Sequence, residues 1–382
     1  FTPATGGNYT IQLTPMDAGI SGAISKTLYA GPHARGTFTV APQKALPGDA
    51  RVAGKIHLEG VGTQTSTTQD PLVPIIKEAM QNGVNYEQGQ VMWWHNTYRC
   101  NGCHIQAQAL VGLEYSRNKV TVDPNVSQTL FDAFKGWQAA DGSLSRGYPW
   151  GYYTTQTQLG LWALISWHDQ NEAKPYIVKA ADYLLPRQNS DGSWSADHPY
   201  GWWGEVASST ALTMMGISQA YVLSNDAKYL APLTKAAQYM AAPGRVASNN
   251  NMARAHQIMG LEAVLNILQD ANLKSQAQTT IDSAVSILKA NQRADGGWGR
   301  YTAYGSDSMV TAQVLYSLLK AGVPGDDPQI RKAIQFLLNT QSPDGSWYSQ
   351  NGILSTRLAA TTWVVIALPI ALERVGGIDV EA

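Results

Sequence analysis

The chain has 382 residues, 44% of them hydrophobic and only 14% charged, with a formal net charge of −1. That length can bury a large core, and the near-zero charge leaves no basic surface to recruit nucleic acid or anionic lipid, so nucleic-acid binding is excluded. Two cysteines in all exclude a disulfide framework or a four-thiolate zinc site.

Residues 1–62 read as a small β-rich segment. Tyr9–Leu13, Gly36–Val40 and Arg51–Leu58 are short alternating runs separated by Pro and Gly, the pattern of half-buried strands and turns. So few strands make a thin core and need a second surface, either the rest of the chain or another copy of it, and oligomerisation through this segment is one expected route. Residues 63–69, Thr-Gln-Thr-Ser-Thr-Thr-Gln, form a polar linker.

From Asp70 to residue 382 the pattern changes to helices with an internal repeat. Gln-x-x-Asp-Gly followed by a small residue and Trp or Leu occurs at Gln138–Leu144, Gln188–Trp194, Gln292–Trp298 and Gln341–Trp347. The Asp positions 141, 191, 295 and 344 are one, two and one periods of about 50 residues apart, so a degenerate copy belongs near residue 243, where Pro243-Gly244-Arg245 stands. Asp-Pro pairs at Asp70, Asp123 and Asp327 announce outer helices, Asp as N-cap and Pro at the first helical position. Six such units fill 70–382. Inner helices are expected to open near Gln106, Gln156, Ser209, Arg254, Ser308 and Leu358. The Asp-Gly loops are read as scaffold: Asp and Gly form a turn, and Gln and Trp tie neighbouring repeats together.

Six helix-loop-helix units with a Gln-rich, Trp-containing loop resemble the prenyltransferase and squalene-cyclase repeat family. The resemblance implies a mainly α chain: an (α/α)6 toroid of six helical hairpins, preceded by the small β-rich segment. It does not bring the family's chemistry with it, because no Asp-x-Asp-Asp acid motif occurs and no cysteine follows Cys103 to serve a late zinc site.

In the first repeat the Asp-Gly loop is replaced by Gln90–Tyr98, read as a loop, and then by Arg99-Cys100-Asn101-Gly102-Cys103-His104. Cys-x-x-Cys-His resembles the c-type cytochromes, whose motif holds one covalent haem c through two thioethers, with the histidine on iron. The resemblance makes Cys100, Cys103 and His104 haem-attachment residues, and Trp93, Trp94 and Tyr98 suit a large flat macrocycle. For the second axial position the repeat register offers His256, across the ring from His104, and His95 beside the motif, with Met92, Met252 or an open position as alternatives. The resulting expectation is an exported monohaem cytochrome carrying electrons to a redox partner protein or small molecule. Thioether attachment outside the cytoplasm, the low charge and a first residue, Phe1, other than Met point to the periplasm or cell surface. No run of about 18 apolar residues marks a transmembrane span.

Three alternatives stay open. An unsaturated haem site would be an oxidoreductase acting on a small apolar substrate. Cys103 with Gln106 matches an internal thioester. Asp197, Glu205, Glu262 and Asp307, with nearby Trp202 and Trp203, suit a carbohydrate-active toroid.

Overall fold

The computed structural model describes residues 7–13, 24–30, 56–60, 70–98, 104–144, 151–197, 205–350 and 357–376. The chain separates into two compact units, Phe1–Gln69 and Asp70–Ala382.

In the first unit β1 (Gly7–Leu13), β2 (Ile24–Ala30) and β3 (Ile56–Gly60) form an antiparallel sheet of order β2-β1-β3, with Tyr9 opposite Leu28 and Ile11 opposite Leu58. β1 and β3 fall on expected runs. β2 does not, although Gly22 before it and Gly31-Pro32 after it set off its ends. The expected strand at Gly36–Val40 lies outside the described residues.

Among the described residues the second unit is six helical hairpins. The outer helices are α1 (Leu72–Tyr98), α3 (Pro124–Trp137), α5 (Gln170–Leu184), α7 (Leu230–Ala241), α9 (Ala271–Ala290) and α11 (Pro328–Thr340). The inner helices are α2 (His104–Ser116), α4 (Tyr153–Ser166), α6 (Val206–Ser224), α8 (Asn251–Val264), α10 (Ser308–Lys320) and α12 (Arg357–Val375). Each inner helix packs on the inner helix of the hairpin before and after it, and α12 packs on α2, so the ring closes.

Sequence explains the two layers. α11 buries Ile330, Ala333, Ile334 and Leu337, an i, i+3, i+4, i+7 stripe that faces one way and leaves the other side polar. α10 buries every residue from Ser308 to Leu319, as a helix with neighbours on all sides must. The same holds for α12, the one described helix long and apolar enough to cross a bilayer, of which 78% is buried inside the toroid. Its composition is that of a core helix.

The repeated loops join the layers. The backbone N–H groups of Leu144, Trp194, Trp298 and Trp347 donate to the hydroxyls of Thr157, Thr210, Thr311 and Thr361 on the inner helices, at 2.9–3.0 Å. Each loop indole N–H donates to a carbonyl on its own outer helix, of Leu184, Leu288 or Leu337. Each loop Gln reaches the next outer helix: Gln138 to Tyr176 O, Gln188 to Pro232 O, Gln292 to Gln329 O. Gln341 does the same to Ala79 O at 2.9 Å, joining the last hairpin to the first, and Arg331 grips Asp70 with both terminal nitrogens beside it.

One local expectation is corrected. Gln90–Tyr98 is not a loop: α1 runs unbroken to Tyr98. Once the Asp-Gly turn is lost the stretch holds no breaker after Gly89, and Val91 buries on the helix's inner stripe.

Candidate functional site

All six inner helices start at one end of the ring, so their positive dipole ends converge on a single mouth. The acidic residues there are taken up by helix-end N–H groups or by an ion pair. Asp197 accepts from the Thr154 and Thr155 N–H groups and from the Thr155 hydroxyl, at 2.7–3.0 Å. Asp307 caps α10 through Val310 N–H and also accepts from Gln350 N–H. Glu205 receives Arg300 at 2.7 Å and the Asn250 amide at 2.9 Å. Glu262 is not at the mouth; it sits toward the far end of α8, half-buried, its carboxyl pushed up by burial and facing the field of Lys320. A carboxylate pair free for sugar chemistry is therefore not assembled from these four, and the carbohydrate-active alternative is corrected.

Below the mouth the axis is aromatic. The Trp363 ring of α12 lies 5.1 Å from Trp162 of α4, 6.0 Å from His256 of α8 and 6.5 Å from Tyr316 of α10. Since α12 neighbours α10 and α2 in the ring, its contacts with α4 and α8 cross the interior. Trp162 and Trp363 are fully buried. Tyr316 continues the layer by stacking on Tyr115 of α2, ring planes 8° apart.

The repeat register explains why these residues meet. Thr157, Thr311 and Thr361 face their loops. A residue two positions on points about 200° away and one five positions on about 140° away, both toward the axis. Trp363 stands two after its Thr, and Trp162 and Tyr316 stand five after theirs. His256 takes the position of Trp363 in α8, where Arg254 replaces the Thr. None of the three large aromatics was singled out from sequence; stacking the inner helices on their loop-bonded Thr residues is the signal that finds them.

His256 is 1% exposed and shares a 2.7 Å hydrogen bond between its Nδ1 and the Ser208 hydroxyl. Burial pushes its pKa down to about 4, against the nearby Glu205 charge, so the axis carries a neutral imidazole at ordinary pH. Next to it in the ring, both amide atoms of Gln313 are buried without a hydrogen-bond partner among the described residues.

The haem reading does not stand. Cys100 and Cys103 lie outside the described residues, as does the side chain of His104. The other residues assigned to it are engaged elsewhere. Trp93, Trp94 and Tyr98 pack on one another at the end of α1, with ring centroids 4.5–6.5 Å apart, and do not present a flat slot. His95 Nδ1 bonds Gln106 Oε1 at 3.1 Å, and His256 is buried in the aromatic layer, its ring tilted 45° to Trp363 and its Nδ1 on the Ser208 hydroxyl. Among the described residues no group of three or more His, Cys, Asp and Glu is placed to hold a metal ion. The Gln106 carbonyl that the thioester alternative needs is the one bound to His95.

The comparisons with known proteins go against the cytochrome, its haem iron and the haem-dependent oxidoreductase, and lend no support to a redox partner. Residues 303–376 match the squalene-hopene cyclase C-terminal domain. A protein of Sinorhizobium fredii described as a probable squalene–hopene cyclase is 24% identical over 50% of this chain, a match that spans 36% of that relative's length. Among solved structures, the type II terpene cyclase MstE of Scytonema with geranylgeranyl dihydroxybenzoate bound superposes on 79% of this chain and 99% of its own, with a TM-score of 0.55 at 15% identity. A polysaccharide lyase superposes on 78% of this chain and 97% of its own, with a TM-score of 0.53 at 14% identity. Such a fold is shared between chemistries, and the sequence matches fall on the cyclase side. The second unit is thus an α/α toroid with the fold of the type II terpene cyclases, and its last hairpins carry the squalene-hopene cyclase C-terminal pattern.

Proposed function

We propose that the toroid takes an isoprenoid-like small molecule, an apolar unsaturated chain held end-on against the aromatic layer at its axis. The observation that carries this is the layer itself: Trp162, Trp363, Tyr316 and the neutral His256, from four inner helices, meet on the axis with no charged side chain among them. Indole and phenol faces offer apolar area and a negative quadrupole, which favour an alkene and stabilise positive charge developing on it. An uncharged imidazole leaves that charge unopposed. The carboxylates at the mouth are engaged by helix-end N–H groups and by Arg300, away from the apolar floor.

The chain's own residues supply binding, orientation and exclusion of water. They do not supply the Asp-x-Asp-Asp acid, so the proposal is for the ligand-handling half of a cyclase, and turnover is a separate measurement. Because the layer is closed, Trp363 must move for a chain to penetrate past it.

The test titrates squalene and geranylgeraniol into the protein while following indole emission, with product analysis of the same mixtures. Saturable quenching that is changed in Trp363→Ala supports the reading. No binding of either probe to wild type or to the opened variant rejects it. Cyclised product would add catalysis to binding.

A further inference from the structure

The degenerate fourth repeat leaves an opening in the outer wall. In the second, third, fifth and sixth repeats the loop Gln bonds the next outer helix, the Asp-Gly turn lies against it, and the Trp or Leu fills the wedge between layers. Ala242–Asn250 has no such Gln, Asp-Gly or Trp. In place of the wedge stands a cleft of about 840 Å³ between this loop and α9, within the range of small-molecule sites.

The cleft has an unusual charge. Arg245 and Arg254 line it, and among the described residues no Asp or Glu does. Arg254 occupies the inner-helix position that is Thr311 in the next repeat, four residues after the N-cap in each case. It is only 7% exposed. Its Nη2 donates to Val246 O at 2.8 Å and its Nη1 reaches Gln257 Oε1 at 3.5 Å, while Nε has no partner among the described residues. Three of its five N–H donors are thus left for something else. Arg245 is at the rim, its guanidinium over Tyr239 and its field reaching Asp191. The opposite wall is the polar face of α9, with Asn272, Ser275, Gln276 and Ser283.

From this geometry we infer that the cleft is a binding site for a small oxyanion, a phosphate or carboxylate group carried by a polar molecule, with Arg254 as its anchor. A buried guanidinium without a carboxylate is costly, and a planar fork of donors is matched by an oxyanion's two oxygens. Burial also holds the Arg254 pKa below its ordinary value with no anionic neighbour to restore it, which a bound anion would do. The wall of amides and hydroxyls suits the polar body of such a ligand and would repel the apolar chain proposed for the axis, so this site stands independently of that reading.

The test is isothermal titration of the whole chain with inorganic phosphate and, separately, with acetate. One-site binding of either is expected, and the preferred anion tells a phosphorylated ligand from a carboxylate. Arg254→Gln should weaken binding about tenfold or more, the loss of a charge-assisted hydrogen-bond set. Ser283→Glu puts a carboxylate on the exposed face of α9 and should weaken binding with the helical circular dichroism unchanged. It decides the matter alone if Arg254→Gln fails to fold. Absence of binding of both anions to wild type, or unchanged affinity in Ser283→Glu, overturns the proposal.

Discussion

Two buried titratable residues pull the pH dependence of this protein in opposite directions. His256 has a folded pKa of about 4 because burial disfavours its charged form. The unfolded chain binds a proton near pH 6.5, so between pH 6.5 and about 4 the unfolded state holds more protons and stability falls as pH falls. The full cost is on the order of ~3 kcal/mol. His256→Gln should remove that part of the acid limb in urea unfolding followed from pH 7 to pH 4. Glu87 does the reverse. It is fully buried on α1, where it faces Gly112 of α2, and neither carboxyl oxygen has a partner among the described residues. Burial holds its pKa well above the ordinary range, so it stays protonated in the fold while the unfolded chain ionises it, and stability is lost as pH rises above the unfolded value. Glu87→Gln keeps the shape without the titration. It should be more stable than wild type at neutral and alkaline pH, by a margin that grows with pH; a constant difference across the series would show that Glu87 does not titrate with folding.

At the scale of the element, the loops decide the architecture, and their chemistry is legible in the sequence. Gly192 shows why the Asp of the loop motif is followed by Gly. Its φ is +93°, and a Cβ added there would lie 2.4 Å from the Lys235 carbonyl of the next outer helix. Gly192→Ala should cost roughly 1–3 kcal/mol in chemical denaturation, from strain and clash together. At Gly244, in the degenerate loop, φ is +72° but nothing lies within 4 Å. Its Ala variant should lose only about 1 kcal/mol. Periodicity and turn residues thus exposed the hairpin count, the loops and most helix starts, because each depends on short-range chemistry. The aromatic axis was not exposed in that way, since Trp162, Tyr316 and Trp363 look like ordinary members of apolar helices until the ring brings them together. The Cys-x-x-Cys-His motif misled for a related reason: a local pattern was given a cofactor's chemistry before the flanking residues were known to continue α1 and to pack on themselves. Arg254 reads from sequence only as the start of an inner helix, because its chemistry is meaningful only beside the Thr residues whose position it takes.

At the scale of the whole molecule, what separates a toroid from an open solenoid is that no repeat is terminal. In an open array each unit contacts only its sequence neighbours, and the end units lack one interface. Here Gln341 makes the same bond to Ala79 O across 262 residues that Gln188 makes to Pro232 O across 44. Both amides also donate to their own loop glycine carbonyl, Gly345 and Gly192. If the ring is closed in solution, the seam is energetically one interface among six. Gln341→Ala and Gln188→Ala should then each cost about 1–2 kcal/mol, the price of a half-buried pair of hydrogen bonds. In both variants protection from amide exchange should fall across the interface that was cut. For Gln341→Ala that means α1 and α11 together, although they stand at opposite ends of the toroid sequence. A Gln341→Ala variant as stable as wild type, with exchange in α1 and α11 unchanged, would mean that the first and last hairpins do not hold each other. The axis would then be lined by an open arc of helices, and the aromatic layer, which needs α12 against α4 and α8, would lose the packing that keeps it dry.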